Sequence, residues 1–151
     1  MSDLYDTDIV LWSEEQTARL RRVAAADRLN LDSPDWANII GEIEDVGGSA
    51  VRAVRSLLFQ ALLHELKAEA WPSSSYVEHW RNEARSFRIQ ASSEFTPAMR
   101  QRIDVAKEYA KARRALPDTI DGQPPLSVSP ACPLTLDQMI GDEPNTVRPN
   151  T

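Results

Sequence analysis

Several residues in this 151-residue chain have side chains that could do chemistry. Glu42, Glu44 and Asp45 lie close together in the stretch NIIGEIEDVGG, residues 38–48. Carboxylates at short spacing can ligate a metal or share a proton, provided they face one point. At about 100° per helical residue, Glu42 and Glu44 fall on opposite flanks of an apolar stripe and Asp45 points away from it. His64-Glu65 is a second candidate, but no histidine follows four residues on, so the pair is not the zinc-protease motif. His79 and Glu83 stand at i, i+4. A metal site would require Glu42, His64, His79 and Glu83 to converge from separate helices. No Glu-x-x-His of the di-metal bundle type is present, so neither a metal nor a cofactor is expected. An enzyme reading would centre on Glu42, His64 and Glu65. Cys132 precedes a proline with no histidine near it in sequence, and no Gly-x-Ser-x-Gly or phosphate-cradling loop occurs.

The cations form the other candidate. Residues 81–114 carry nine basic and four acidic side chains, whereas residues 1–50 carry eleven acidic and four basic. Arg81, Arg85 and Arg88 share one side of a predicted helix. Arg100, Lys107, Lys111 and Arg114 fall in one arc of the next. Two basic stripes of this kind suit an acidic protein or a nucleic acid. They could equally neutralise the acidic N-terminal helices within the fold, the simpler reading because eleven acidic residues need neighbours. The net charge of −6 argues against strong non-specific nucleic-acid binding.

Elements that would position these residues follow from periodicity. Ile9, Trp12, Gln16, Leu20 and Val23 predict a helix over residues 7–27, started by Asp6 or Thr7. Ser33-Pro34 opens a second, with the stripe Trp36, Ile39, Ile40, Ile43 and Val46, which Gly47-Gly48 ends or bends. A third, over residues 49–70, has a wide apolar arc that includes Leu58, Leu62 and Leu66. Arg55 and Glu65 lie within that arc and need partners, with an arginine of the fourth helix suited to Glu65. The fourth helix spans residues 76–92. Thr96-Pro97 starts a fifth, carrying Met99, Ile103, Ala106 and Ala110. Proline-rich chain follows, and Thr135-Leu136-Asp137-Gln138 fits a capping box for a short last helix. The expected fold is all-α: a bundle of four to five helices with an extended proline-rich C-terminal segment ending in a short helix. Residues 1–143 are expected to form one domain, with a core over 4–116 and an extended segment over 117–143, and residues 144–151 a disordered tail.

Composition agrees with a globular class: 42% hydrophobic and 26% charged residues leave enough apolar surface for a core. No apolar run approaches the roughly 20 residues of a membrane span. The acidic opening MSDLYDTDIVLW lacks the basic start of a secretory signal. The single cysteine excludes an internal disulfide. A cytoplasmic location is expected.

Leu4-Tyr5-Asp6-Thr7-Asp8 with Trp12, then Asp35-Trp36-Asn38-Ile39, Glu42-Ile43-Glu44 and Gly47, resemble the bacterial and cyanobacterial family called domain of unknown function 29. His64, Leu66-Lys67, Pro72, Trp80-Arg81, Cys132-Pro133 and Thr135-Leu136 follow the same pattern in order. The resemblance spans roughly residues 4–143. It departs at Ala68-Glu69-Ala70-Trp71, where the family has more aromatics, and at Gly48-Ser49-Ala50, where it has basic residues. It implies a small helical protein with no assigned activity and no catalytic residue to carry over. The resulting expectation is a non-catalytic interaction module that meets an acidic protein or nucleic acid through residues 81–114, or self-associates. An alternative is an acidic, antitoxin-like partner of a co-encoded basic protein, working through residues 1–50.

Overall fold

The computed structural model describes residues 3–141; the expected tail over residues 144–151 lies outside them. The fold is all-α. Its helices are α1 (Leu4–Thr7), α2 (Ile9–Asp27), α3 (Trp36–Ala70), α4 (Val77–Glu94), α5 (Val105–Arg114) and α6 (Leu136–Ile140), with a 3₁₀ segment at Pro97–Gln101. Among the described residues the only strand-like pairing is the isolated bridge between Ile120 and Gln123, and no helix is long and apolar enough to cross a membrane. The chain divides into two compact units. One comprises residues 3–53 with Thr96–Arg102, the other Val54–Phe95 with residues 103–141.

The first unit is organised by polar side chains. The expected start of the first helix at Asp6 or Thr7 is corrected: the chain breaks at Asp8, which separates α1 from α2. Its carboxylate caps α2 by accepting from the Leu11 amide at 3.0 Å. It also accepts from the Thr96 hydroxyl at 2.6 Å and the Ala98 amide at 3.0 Å. Asp8 is buried. Burial pushes its acidity down, but these hydrogen bonds outweigh that, and the carboxyl is held below the usual carboxylate range. Asp35, rather than Ser33, caps α3, accepting from the Asn38 amide at 3.3 Å.

Gly47-Gly48 does not end a helix. α3 runs unbroken for 35 residues, and neither glycine adopts the left-handed conformation with which a glycine commonly ends a helix. The glycines serve packing instead. A methyl group at Gly47 would lie 2.9 Å from the Ser13 hydroxyl oxygen. That hydroxyl donates to the Ile43 carbonyl at 2.6 Å. At the loop end of the pair, the Trp36 indole donates to Asp27 at 3.0 Å. The buried face of α2 is therefore Val10, Ser13 and Thr17, not the expected stripe from Ile9 to Val23.

The second unit has an apolar interior. Val54, Leu58, Ala61, Leu62 and Leu66 of α3 are all buried at i, i+4, i+7, i+8, i+12, one helical face. Ala68, Ala70, Trp71 and Trp80 form a cluster against which Val77, Leu116, Ile120 and Val128 pack. The fifth helix does not start at Thr96-Pro97. Those residues lead into the 3₁₀ segment, and α5 begins at Val105, capped by Asp104 through the Ala106 and Lys107 amides. Its buried face is Val105, Glu108, Tyr109 and Ala112; Ala106 and Ala110 are exposed.

The proline-rich segment is held as a strap. Proline removes backbone donors but leaves carbonyls, and side-chain donors of the helices take them up. The Trp71 indole donates to the Gln123 carbonyl at 2.8 Å, the Tyr109 hydroxyl to Ser129 at 2.6 Å and Arg113 to Pro130 at 3.1 Å. Asp121 (φ 52°) and Gly122 (φ 75°) form the tight turn expected of an Asp-Gly pair. At the end of the strap, Thr135 and Gln138 make the predicted capping box of α6.

Candidate interaction surface

Lys107, Lys111 and Arg114 recur at i, i+4, i+7 on α5 and so share one ridge. With Arg113 they form one wall of an open groove of about 1020 Å³. The strap supplies the other wall through Leu116, Pro117, Pro125, Leu126 and Val128. Lys111 is anchored: its ammonium lies 3.0 Å from Glu108 and 5.6 Å from the centre of the Phe59 ring. Glu108 is buried at the base of this ridge. Its second oxygen takes Arg55 at 3.0 Å, so both cations neutralise a carboxylate that burial would otherwise make costly. Lys107 and Arg114 remain exposed.

The other predicted cations part company. Arg88 is half-buried and structural. It bonds Glu65 at 3.3 Å, the Gln138 carbonyl at 2.7 Å and the Met139 carbonyl at 3.4 Å, and thereby ties α4 to α3 and α6. Glu65 thus has the α4 arginine partner expected for it. Burial raises its pKa, Arg88 opposes that, and Glu69 adds to the rise. Arg81 and Arg85 are exposed on α4, outside the groove lining. Arg100 does not belong to the α5 arc. It lies in the 3₁₀ segment, in the first unit, because α5 starts five residues after it. Arg113 is the groove cation that the spacing argument missed, since it falls beside the counted ridge rather than on it.

The matches to known proteins extend over the same length of chain. The sequence profile of Domain of unknown function DUF29 matches residues 4–143. The chain belongs to the DUF29 family. A crystal structure of an α-helical protein of unknown function from Rhodospirillum rubrum is similar to it, at 29% identity and a TM-score of 0.73, with 95% of this chain and 92% of that one covered. No curated protein matches. Within the matched span, Asp8 as the clasp, Trp36 on Asp27, and Gly47 against Ser13 hold the first unit together.

The remaining candidate chemistry of this DUF29 chain disperses. Glu42 and Asp45 are exposed on α3, while Glu44 pairs with Arg21 of α2. His64 donates from Nδ1 to the Gln60 carbonyl at 2.7 Å, and its ring lies 5.4 Å from that of Phe87. His79 is exposed on α4 and Glu83 is half-buried there. Among the described residues no three of histidine, cysteine, aspartate and glutamate are grouped to hold a metal ion. The Cys132 thiol donates to the Leu134 carbonyl at 3.3 Å. Burial, with the Glu65 charge adding to it, pushes its pKa up, away from a nucleophilic thiolate.

Proposed function

We propose that the protein is a cytoplasmic interaction module, without catalysis of its own, whose working surface is the groove between α5 and the strap. Its partner is an acidic polypeptide segment. One observation carries this reading: exposed Lys107 and Arg114 stand over an apolar wall of Leu116, Leu126 and Val128. Cations beside an apolar trough suit a chain that alternates carboxylates with aliphatic side chains. A single-stranded nucleic acid would use aromatic platforms, and no aromatic residue lines this groove.

Fluorescence anisotropy tests the reading with two labelled probes of equal charge, a Glu-Leu repeat peptide and a single-stranded oligonucleotide. The peptide binds more tightly, and its affinity falls steeply with salt. Lys107→Glu with Arg114→Glu weakens it by at least about tenfold. Preference for the oligonucleotide moves the assignment to nucleic acid. If Arg81→Ala with Arg85→Ala abolishes binding and the α5 pair does not, the exposed face of α4 is the working surface.

A further inference from the structure

Each helix of the first unit's hairpin has two flanks beside its buried ridge. On α2 the buried ridge is Val10, Ser13 and Thr17. By helical spacing Glu14 and Arg21 lie on one flank of it, and Trp12, Leu20 and Val23 on the other. On α3 the buried positions Ile40 and Gly47 separate Glu44 from Ile39, Ile43 and Val46 in the same way. Arg21 bonds Glu44, so the two polar flanks share one side of the hairpin. Arg102 reaches Glu14 there at 3.8 Å. The two apolar flanks must therefore share the opposite side.

That side is uncovered. Val23 is 51% exposed, Val46 41% and Ile39 38%, while Trp12, Leu20 and Ile43 are half-buried. Tyr5, itself 59% exposed, packs edge-on against Trp12 with ring centres 5.0 Å apart. Six aliphatic and aromatic side chains on one face of two helices are the kind of patch that marks an interface.

The rims of this face select its occupant. Arg19 stands four residues from Val23 and seven from Trp12, on the α2 rim. Glu42 stands three residues from Ile39 and four from Val46, on the α3 rim. Both are exposed, on opposite edges of the hairpin. The antiparallel pairing places Ser13 level with Ile43 to Gly47, and Asp27 level with Trp36. Arg19 is therefore close to the height of Glu42. A two-fold axis lying between two such faces and parallel to the helices preserves height and sets α2 of one copy on α3 of the other. Each Arg19 then meets the other copy's Glu42, twice over. The alternative two-fold, perpendicular to the helices, sets α2 on α2 and loses both pairs.

We infer that this face binds a second copy of the chain, giving a four-helix arrangement of two α2–α3 hairpins with Arg19–Glu42 pairs along both edges. The residues of this face are all different from those lining the α5 groove, so its test is independent of the proposed function.

Size-exclusion chromatography with multi-angle light scattering on the full chain tests it. The wild type runs at twice 16.9 kDa. Val46→Glu, at an exposed position that tolerates the change in the monomer, gives the single mass with an unchanged far-ultraviolet circular dichroism spectrum. Arg19→Glu alone and Glu42→Arg alone each raise the dimer dissociation constant by at least about tenfold, because like charges then face each other. The double variant Arg19→Glu with Glu42→Arg restores it. A wild type that stays monomeric at the highest concentration reached overturns the inference and leaves the face to another partner, such as a basic protein encoded alongside. A dimer unaffected by Val46→Glu, or a double variant no tighter than the singles, overturns it equally.

Discussion

In the first unit the buried ridges of two helices include the small residues Ser13, Thr17 and Gly47 beside Val10 and Ile40. In the second, the same helix α3 continues and buries Leu58, Leu62 and Leu66. Small residues let backbones approach closely and bring hydroxyls within reach of carbonyls, as Ser13 does with Ile43. They also leave the larger apolar side chains of both helices, Val23, Ile39 and Val46 among them, on the outside. The second unit does the reverse. Its aliphatic residues point inward, and its polar side chains are spent on fixing the strap. A continuous helix can thus contribute an open apolar face in one half and a closed core in the other, depending on which residues sit at the contact ridge.

The contrast is broken most strongly at Leu58, which is fully buried. Leu58→Ala removes three carbons and leaves a cavity, so the expected cost is about 4 kcal/mol. Ile39→Ala, on the same helix and in the monomeric Val46→Glu background, is expected to cost well under about 1 kcal/mol, since its side chain is 38% exposed in the single chain. Urea denaturation of the two variants measures the difference. Equal losses would mean that the two halves of α3 are packed alike.

Polar closure of the first unit is tested at Asp8. Asp8→Asn weakens charge-assisted bonds to Thr96, Leu11 and Ala98, with an expected cost of about 2–3 kcal/mol. The effect also depends on pH in a defined direction. The folded pKa of Asp8 lies below its ordinary value, which is about 3.9 in an unfolded chain. Its contribution is therefore full above that value and disappears as pH falls through the folded pKa. The gap between wild type and Asp8→Asn, measured by urea midpoints at neutral and at acid pH, narrows on acidification. Glu65 has the opposite sign. Its pKa is raised in the fold, so its contribution is present below the unfolded value and is lost as pH rises through the folded one.

Much of this contrast could not be read from the sequence. Periodicity identified the helical class, the central arc of Leu58, Leu62 and Leu66, the Glu65 partner on the fourth helix and the capping box at Thr135, because each depends on local spacing. It failed where a distant residue decides the outcome. Ser13 and Thr17 look like part of the polar side of α2 until Gly47 allows a second backbone to come close. Gly47-Gly48 look like a stop until the helix beyond them is packed. Thr96-Pro97 has the residues of a helix start, but its hydroxyl is taken by Asp8, 88 residues away. The surface was legible only in part. Lys107, Lys111 and Arg114 share a ridge by spacing alone. The apolar wall opposite them, the Arg113 neighbour and the structural work of Arg88 all depend on where the strap lies.

A pair of glycines gives the smallest and most specific test. Gly41 and Gly47 lie six residues apart in α3, and each alone costs a helix about 1 kcal/mol relative to alanine. Nothing lies within 4 Å of a methyl group built on Gly41, so Gly41→Ala is expected to stabilise the protein by about 0.5–1 kcal/mol. At Gly47 the same methyl would sit 2.9 Å from the Ser13 hydroxyl oxygen and 3.0 Å from its Cβ. Ser13 cannot turn away without giving up its 2.6 Å bond to Ile43, so α2 must shift outward. Gly47→Ala is expected to lose about 1–2 kcal/mol despite the better helix former. Thermal melts of the two variants should move in opposite directions. If both rise, the α2–α3 contact is looser than a small-residue interface requires. If Gly47→Ala alone falls, and combining it with Ser13→Ala recovers part of the loss, the close approach of the two helices is what fixes their apolar flanks to one side.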